Sequence, residues 1–90
     1  MLKPDFTAQF RRDLRKAERR GYDMDKIKDV ITQLLGERPL SPVFRDHPLK
    51  GEWNDCHELH IAPDWLLVYK IGGEICVFYR TGTHSDLFGK

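Results

Sequence analysis

The sequence predicts an α+β domain in which an N-terminal helical hairpin packs on one face of an antiparallel sheet. Apolar residues recur at helical spacing up to residue 35, and three runs rich in branched and aromatic residues follow from residue 55 onwards. Ninety residues provide room for one core, so we expect 1–90 to form a single domain. With 40% hydrophobic and 32% charged residues, the chain is too apolar for a disordered protein.

Two amphipathic helices account for the first part of the chain. Their apolar stripes consist of Phe6, Phe10, Leu14 and Ala17 in the first helix, and of Met24, Ile27, Ile31, Leu34 and Leu35 in the second. Asp5 or Thr7 is suited to cap the first helix, and Asp23 is suited to cap the second. Gly21 and Gly36 are placed to end them, so the two helices form a hairpin.

Three strands are predicted over residues 55–61, 64–71 and 74–81, after a loop rich in proline over 37–51. Residues 1–4 are expected to add an extended piece at the edge. Ala62-Pro63 and Gly72-Gly73 separate the strands, and a Gly-Gly pair is typical of a two-residue hairpin. With two residues in each turn, His60 lies opposite Trp65, which lies opposite Arg80.

This register divides the side chains between the two sheet faces. The face expected to pack on the helices carries Leu59, Ile61, Leu66, Val68, Ile75, Val77 and Tyr79. The other face carries Glu58, His60, Trp65, Tyr69, Cys76, Phe78 and Arg80. Because the second face mixes aromatic with ionisable groups, we expect it to be the binding surface.

Positive charge is concentrated at the N-terminus. Residues 1–20 hold seven Lys and Arg against three Asp and Glu, although the whole chain carries a net charge of only +1. A basic first helix indicates either an acidic partner, such as RNA or an acidic protein, or a solvated helix face. We predict a cytoplasmic protein with no membrane association, since no stretch approaches the roughly 18 apolar residues of a membrane span.

Three of the four histidines are expected to meet at one edge of the sheet. His60 ends its strand with Asp64 just past the turn, His84 follows the third strand, and His47 precedes the sheet. Histidine or aspartate can take the proton of a ribose 2′-hydroxyl and protonate the leaving 5′-oxygen, while Arg80 stabilises the phosphate charge. The set therefore favours RNA cleavage without a metal or cofactor. A zinc site from the same histidines is the alternative, but they form no HxH or HxxxH pair.

Aromatic residues near these groups suggest how a base is held. Trp65 and Phe88 are candidates to stack on it, although a lone tryptophan is more often a core residue than a stacking surface. His57 is left out of the site, because strand alternation places it on the face opposite His60.

Three blocks of the chain resemble a known family. Residues 46–53 (DHPLKGEW), 60–70 (HIAPDWLLVYK) and 80–89 (RTGTHSDLFG) are similar to the characteristic blocks of the YafQ branch of the RelE/ParE toxin superfamily. The order and spacing of the blocks, together with the basic first helix and the helix pair, extend the resemblance over essentially the whole chain.

The resemblance implies a RelE-like fold and the toxin of a bacterial type II toxin-antitoxin system. Such toxins are ribosome-dependent, metal-independent endoribonucleases that cut mRNA in the ribosomal A site, and a cognate antitoxin keeps them silent. The resemblance assigns the active site to His47, His60, Asp64 and His84.

The resemblance also matches two further positions, and its first block contains Lys50. Arg80 corresponds to the arginine before the TGTH sequence, Phe88 to the terminal aromatic residue, and we expect Lys50 of the first block to contact substrate. As a hypothesis, His60 or Asp64 is the general base and His84 the general acid, while Arg80 with His47 stabilises the phosphate.

Two other functions fit parts of the sequence. A ParE-like toxin would bind gyrase without catalysis, but such a binder does not need several proton-transfer groups at one end of the sheet. A basic nucleic-acid-binding module would use the first helix and leave the histidines incidental.

Overall fold

Two long helices, a five-stranded sheet and a short C-terminal helix make up the structure, a computed structural model that describes residues 1–89. Helix α1 spans Ala8–Arg19 and helix α2 spans Met24–Leu35. The Thr7 hydroxyl accepts a hydrogen bond from the Phe10 amide at 3.0 Å, and the Asp23 carboxylate caps α2 in the same way. Helix α2 begins and ends where the sequence predicts, and α1 ends before Gly21 as expected. Phe6, expected in the first helix, belongs instead to the N-terminal strand, because the helix starts only after the Thr7 cap.

The sheet is mixed rather than purely antiparallel. Its strands are β1 (Lys3–Phe6), β2 (His47–Pro48), β3 (His57–Ala62), β4 (Trp65–Gly72) and β5 (Ile75–Gly82), in the order β1-β5-β4-β3-β2. The predicted antiparallel pairing is confirmed for β3, β4 and β5. Strand β2, which lies in the predicted loop 37–51, adds a short antiparallel partner to β3. The N-terminal strand β1 lies at the edge as expected, but it pairs in parallel with β5. Helix α3 (His84–Phe88), which the sequence analysis did not predict, follows β5 directly.

The predicted register between β4 and β5 is wrong, because the two-residue turn lies one residue further along the chain. Gly72 pairs with Ile75, so that Gly73 and Glu74 form the two-residue loop. Gly73 adopts a φ of 59°, a left-handed conformation that glycine accepts without strain. A bulge further along makes Val68 the partner of Arg80, the position that the sequence register gave to Trp65.

The register between β3 and β4 also differs, and this difference reverses the expected faces of β4 and of the first part of β5. The bulge before Arg80 keeps that residue on the face of Glu58 and His60. His60 pairs with Leu66 and Ala62 with Trp65, with an irregularity between the two pairs. The turn residues are therefore Pro63 and Asp64, and the side chains of β4 exchange faces because strand side chains alternate. Trp65, expected beside His60, lies instead on the face that the helices cover.

The hydrophobic core lies between that face and the two helices. The helices contribute Phe10 and Ala17 from α1 and Ile27, Val30 and Leu34 from α2. The sheet contributes Leu59, Leu67, Tyr69, Cys76 and Phe78. The rings of Phe6 and Phe78 stack at 5.2 Å between centroids, which joins β1 to the core.

A charged contact joins α1 to the end of β5. Arg80 donates from Nε to Asp13 at 2.8 Å and from Nη2 at 3.3 Å, and the Thr81 amide donates to the same carboxylate at 3.1 Å. Asp13 is buried and Arg80 half-buried, so little water competes for these bonds. The contact therefore fixes the end of β5 relative to α1.

Replacing Asp13 with Ala should lower the free energy of unfolding by about 3–5 kcal/mol, because it leaves a half-buried guanidinium and a buried amide without their partner. Urea denaturation measures the loss. The matched control is Glu18→Ala on the exposed side of the same helix, which should change the free energy by no more than about 0.5 kcal/mol. Equal effects of the two substitutions would contradict a structural role for Asp13.

Candidate active site

Three imidazole rings lie in a row at one end of the sheet. The ring centroids of His47 and His60 are 6.1 Å apart, and those of His60 and His84 are 5.9 Å apart. His47 comes from β2, His60 from β3, and His84 is the first residue of α3. We refer to these three residues as the histidine row.

His84 is oriented by Asp64, which lies in the turn between β3 and β4. Its ring Nδ1 lies 2.7 Å from Asp64 Oδ1, and its backbone amide donates to the same oxygen at 3.0 Å. These two bonds, that of the amide first, hold the pKa of Asp64 below its ordinary value. Because the carboxylate accepts at Nδ1, Nε2 is the ring nitrogen left to exchange a proton with a ligand.

His47 and Glu58 form the other end of the site. They are paired across β2 and β3, and His47 Nε2 lies 3.5 Å from Glu58 Oε1. The second ring nitrogen, Nδ1, lies 2.9 Å from the Arg45 carbonyl oxygen. Glu58 is buried, so its carboxyl group lies beneath the histidine row with little access to solvent.

His60, in the middle of the row, has a lowered pKa. Burial is the largest cause, and the positive charge of Arg45 is the second; Glu58 opposes both. Among the described residues, Nδ1 of His60 has no hydrogen-bond partner although it is buried. The middle ring is therefore neutral at pH 7 and able to accept a proton.

The other predicted site residues are spread around this row. Arg80 is bound to Asp13, and the described residues offer its Nη1 no partner. Phe88 ends α3 with 36% of its surface exposed. Lys50 is exposed in the loop between β2 and β3.

The expectation that Trp65 stacks on a base is wrong. Only 4% of its surface is exposed, its indole Nε1 donates to Thr81 Oγ1 at 2.9 Å, and its ring packs against Tyr22 at 4.9 Å. The indole nitrogen is bound to Thr81 and the ring packs on Tyr22, so the tryptophan offers no open ring face to a nucleotide. The error follows directly from the β3–β4 register described above.

Glu58 and Arg45 belong to the site but were not singled out in the sequence. Alternation along β3 does place Glu58 on the same face as His60, and this was the available signal. Arg45 carries no such signal. It reaches the site because it follows the 3-10 turn Pro42–Phe44 and has a left-handed φ of 52°, which local sequence does not reveal.

One group of side chains has the composition of a metal site. Ligand atoms of His47, Glu58 and His60 all lie within 4.8 Å of one another. Two imidazoles and a carboxylate suit a transition metal such as zinc. The same three residues with Asp64 and His84 also supply groups that can act as a base and as an acid in metal-free chemistry.

Comparison with known proteins places the chain in a family. A family model for YafQ, a bacterial toxin of type II toxin-antitoxin systems, matches residues 2–89. The chain belongs to this family. It is 41% identical over 86 residues to the mRNA interferase toxin YafQ of Escherichia coli, with 94% of each chain covered. The resemblance inferred from the three sequence blocks is confirmed.

Solved structures of YafQ-like toxins share the fold. The YafQ chain of the Escherichia coli DinJ-YafQ complex matches with a TM-score of 0.92 at 39% identity, covering 99% of this chain and 100% of that one. A metal-bound toxin from Helicobacter pylori matches with a TM-score of 0.91 at 39% identity, covering 98% and 100% of the two chains. Within residues 1–89, the helices are all too short and too polar to cross a membrane.

Removing the His84 ring should raise the pKa of Asp64 only part of the way to its ordinary value, because the backbone amide of residue 84 remains. The pKa is measured by NMR titration of the Asp64 carboxyl carbon in the His84→Ala protein. Because the folded pKa lies below the unfolded one, ionised Asp64 stabilises the fold above its unfolded pKa, and this contribution is lost as the pH falls through the folded value. His57→Ala is the control and should leave the titration unchanged. An ordinary pKa for Asp64 in the unsubstituted protein would contradict the structure.

Proposed function

We propose that this protein is an mRNA interferase: a ribosome-dependent endoribonuclease that cleaves mRNA in the ribosomal A site without a metal. The observation that carries the proposal is the histidine row with His84 oriented by Asp64. The name of the Escherichia coli relative, mRNA interferase toxin, supports the reaction class.

The geometry favours one assignment of the base. The general base must be unprotonated, and burial with the Arg45 charge holds the pKa of His60 below its ordinary value. Asp64 already accepts two hydrogen bonds from His84, so it acts by orienting that ring. His60 therefore takes the proton of the 2′-hydroxyl.

The remaining steps follow from the arrangement of the other groups. The 2′-oxygen attacks the adjacent phosphorus, the bond to the 5′-oxygen breaks, and that oxygen takes a proton from His84 Nε2. His47 and the Nη1 group of Arg80 stabilise the charge on the phosphate oxygens. Phe88 offers a partly exposed ring to a base, and Lys50 an exposed cation to the RNA backbone.

The partners follow from the basic helix and the family. Arg11, Arg12 and Arg15 give the exposed side of α1 a basic surface. Such a surface attracts ribosomal RNA and equally an acidic segment of a cognate antitoxin. The Escherichia coli relative forms a complex named DinJ-YafQ, which supports an antitoxin partner here. The proposed place of action is the cytoplasm, where ribosomes translate mRNA.

His84→Ala should slow mRNA cleavage by about 10²–10⁴-fold, since it removes the proposed general acid. The measurement is the mapping of mRNA ends in a reconstituted translation reaction, with and without ribosomes. His57→Ala is the histidine control and should cleave at the normal rate, because the ring of His57 contacts Tyr69 outside the histidine row.

Three results would overturn parts of the proposal. Undiminished cleavage by the His84→Ala protein would remove His84 from the mechanism. Cleavage that does not require ribosomes would remove the A-site requirement. Intact mRNA together with inhibited DNA supercoiling by gyrase would favour the ParE-like function instead.

A further inference from the structure

Helix α3 carries His84 but has little of its own to hold it in place. It contains five residues, and none of them is buried. An isolated helix of this length is unstable in water, because the free energy needed to form its first turn exceeds the stabilisation from the few hydrogen bonds that one turn contains. The position of His84 therefore depends on contacts between α3 and the rest of the protein.

Asp86 provides the most extensive of these contacts. Its carboxylate Oδ2 accepts from the Thr83 amide at 3.0 Å, while its own amide donates to Thr83 Oγ1 at 3.0 Å. The two bonds form a capping box at the start of α3. They fix the first turn of the helix, to which the His84 backbone belongs.

The same carboxylate ties α3 to the C-terminal end of α1. Arg20 donates from Nη1 at 2.7 Å and from Nη2 at 3.2 Å, and Lys16 Nζ lies 3.2 Å from Oδ1. The bonds from Arg20 are the first cause that holds the pKa of Asp86 well below its usual range. Asp86 is thus ionised at neutral pH, the form that pairs with Arg20 and Lys16.

The end of β5 is shaped to admit this carboxylate. Gly82 has a φ of 156°, and a Cβ atom placed there would lie 2.9 Å from Asp86 Oδ2. Any side chain at residue 82 would therefore push Asp86 away from its partners. The close approach supports a site built around Asp86 rather than an incidental surface contact.

We propose that Asp86 is a positioning residue for the proposed reaction, and that the Arg20 contact transmits the position of α1 to His84. Asp64, in the β3–β4 turn, holds the imidazole of His84. Asp86, which is joined to the end of α1 by Arg20, holds the backbone of His84. With both carboxylates in place, His84 Nε2 has one position relative to His60. The inference rests on the proposed function only in that His84 is the general acid.

The test compares Arg20→Gln with Arg19→Gln. Both remove one positive charge from the end of the same helix, but Arg20 contacts Asp86 whereas Arg19 is exposed and makes no ion pair within residues 1–89. Arg20→Gln should lower kcat for mRNA cleavage about tenfold with KM near that of the Arg19→Gln control, since a small misplacement of a catalytic group acts on the chemical step. Both proteins should melt near the normal temperature, because exposed ion pairs add little stability.

A second measurement reports the position of His84 directly. The ring ¹⁵N chemical shifts of His84 in the free protein should change in Arg20→Gln and stay unchanged in Arg19→Gln. Asp86→Asn should change them in the same direction. The Arg20→Gln, Asp86→Asn double substitution should lower kcat by less than the product of the two single effects, because both break one contact.

The outcomes separate the two proposals. If Arg20→Gln matches Arg19→Gln in kcat and in the His84 shifts, the positioning role of Asp86 is overturned. If the shifts respond as expected but His84→Ala cleaves at the normal rate, the positioning contact stands and the proposed catalytic role of His84 fails. Asp86→Asn is not needed for this distinction, so a folding defect in that variant leaves the test intact.

Discussion

The buried Asp13 carboxylate determines how the two layers of the protein meet. It is the only acidic side chain of α1 that is buried within residues 1–89, and it binds both the Arg80 guanidinium and the Thr81 amide. The Thr81 hydroxyl then donates to the Leu66 carbonyl at 2.6 Å and accepts from Trp65. One carboxylate on a helix thereby fixes the paired ends of β4 and β5.

The candidate site residues Asp64 and His84 lie next to those same ends. Leu66 pairs with Gly82, so the residues just before β4 and just after β5 are neighbours. Asp64 and His84 occupy these positions, and their hydrogen bond follows from the pairing of the strands. Helix α1 acts on His84 a second time through Arg20 and Asp86. A helix whose surface is basic enough to bind RNA or an antitoxin is therefore also part of the scaffold of the site.

Local signals were sufficient to predict both long helices, because the capping residues Thr7 and Asp23 each bind a backbone amide in the first turn of the helix that follows. The strand register was not predictable in this way, since the irregularity at His60 to Ala62 depends on how β3 meets β4 in three dimensions. Because of that difference, Trp65 lies in the core and not opposite His60. Strand alternation still placed Glu58 beside His60, whereas Arg45 enters the site through a loop conformation that has no sequence pattern. The family blocks identified His47, Asp64 and His84 as one group, and the structure brings them together with His60.

The central claim is that the histidine row cleaves RNA by internal attack of the 2′-hydroxyl, without a metal. The most direct test is the chemistry of the new ends in ribosome-bound mRNA after cleavage. Internal attack predicts a 2′,3′-cyclic phosphate, or the 3′-phosphate formed from it, on one fragment and a 5′-hydroxyl on the other. It also predicts no cleavage when the nucleotide before the cut is 2′-deoxy. A 3′-hydroxyl with a 5′-phosphate, or cleavage of the 2′-deoxy substrate, would contradict the account and favour attack by a metal-bound water at His47, Glu58 and His60.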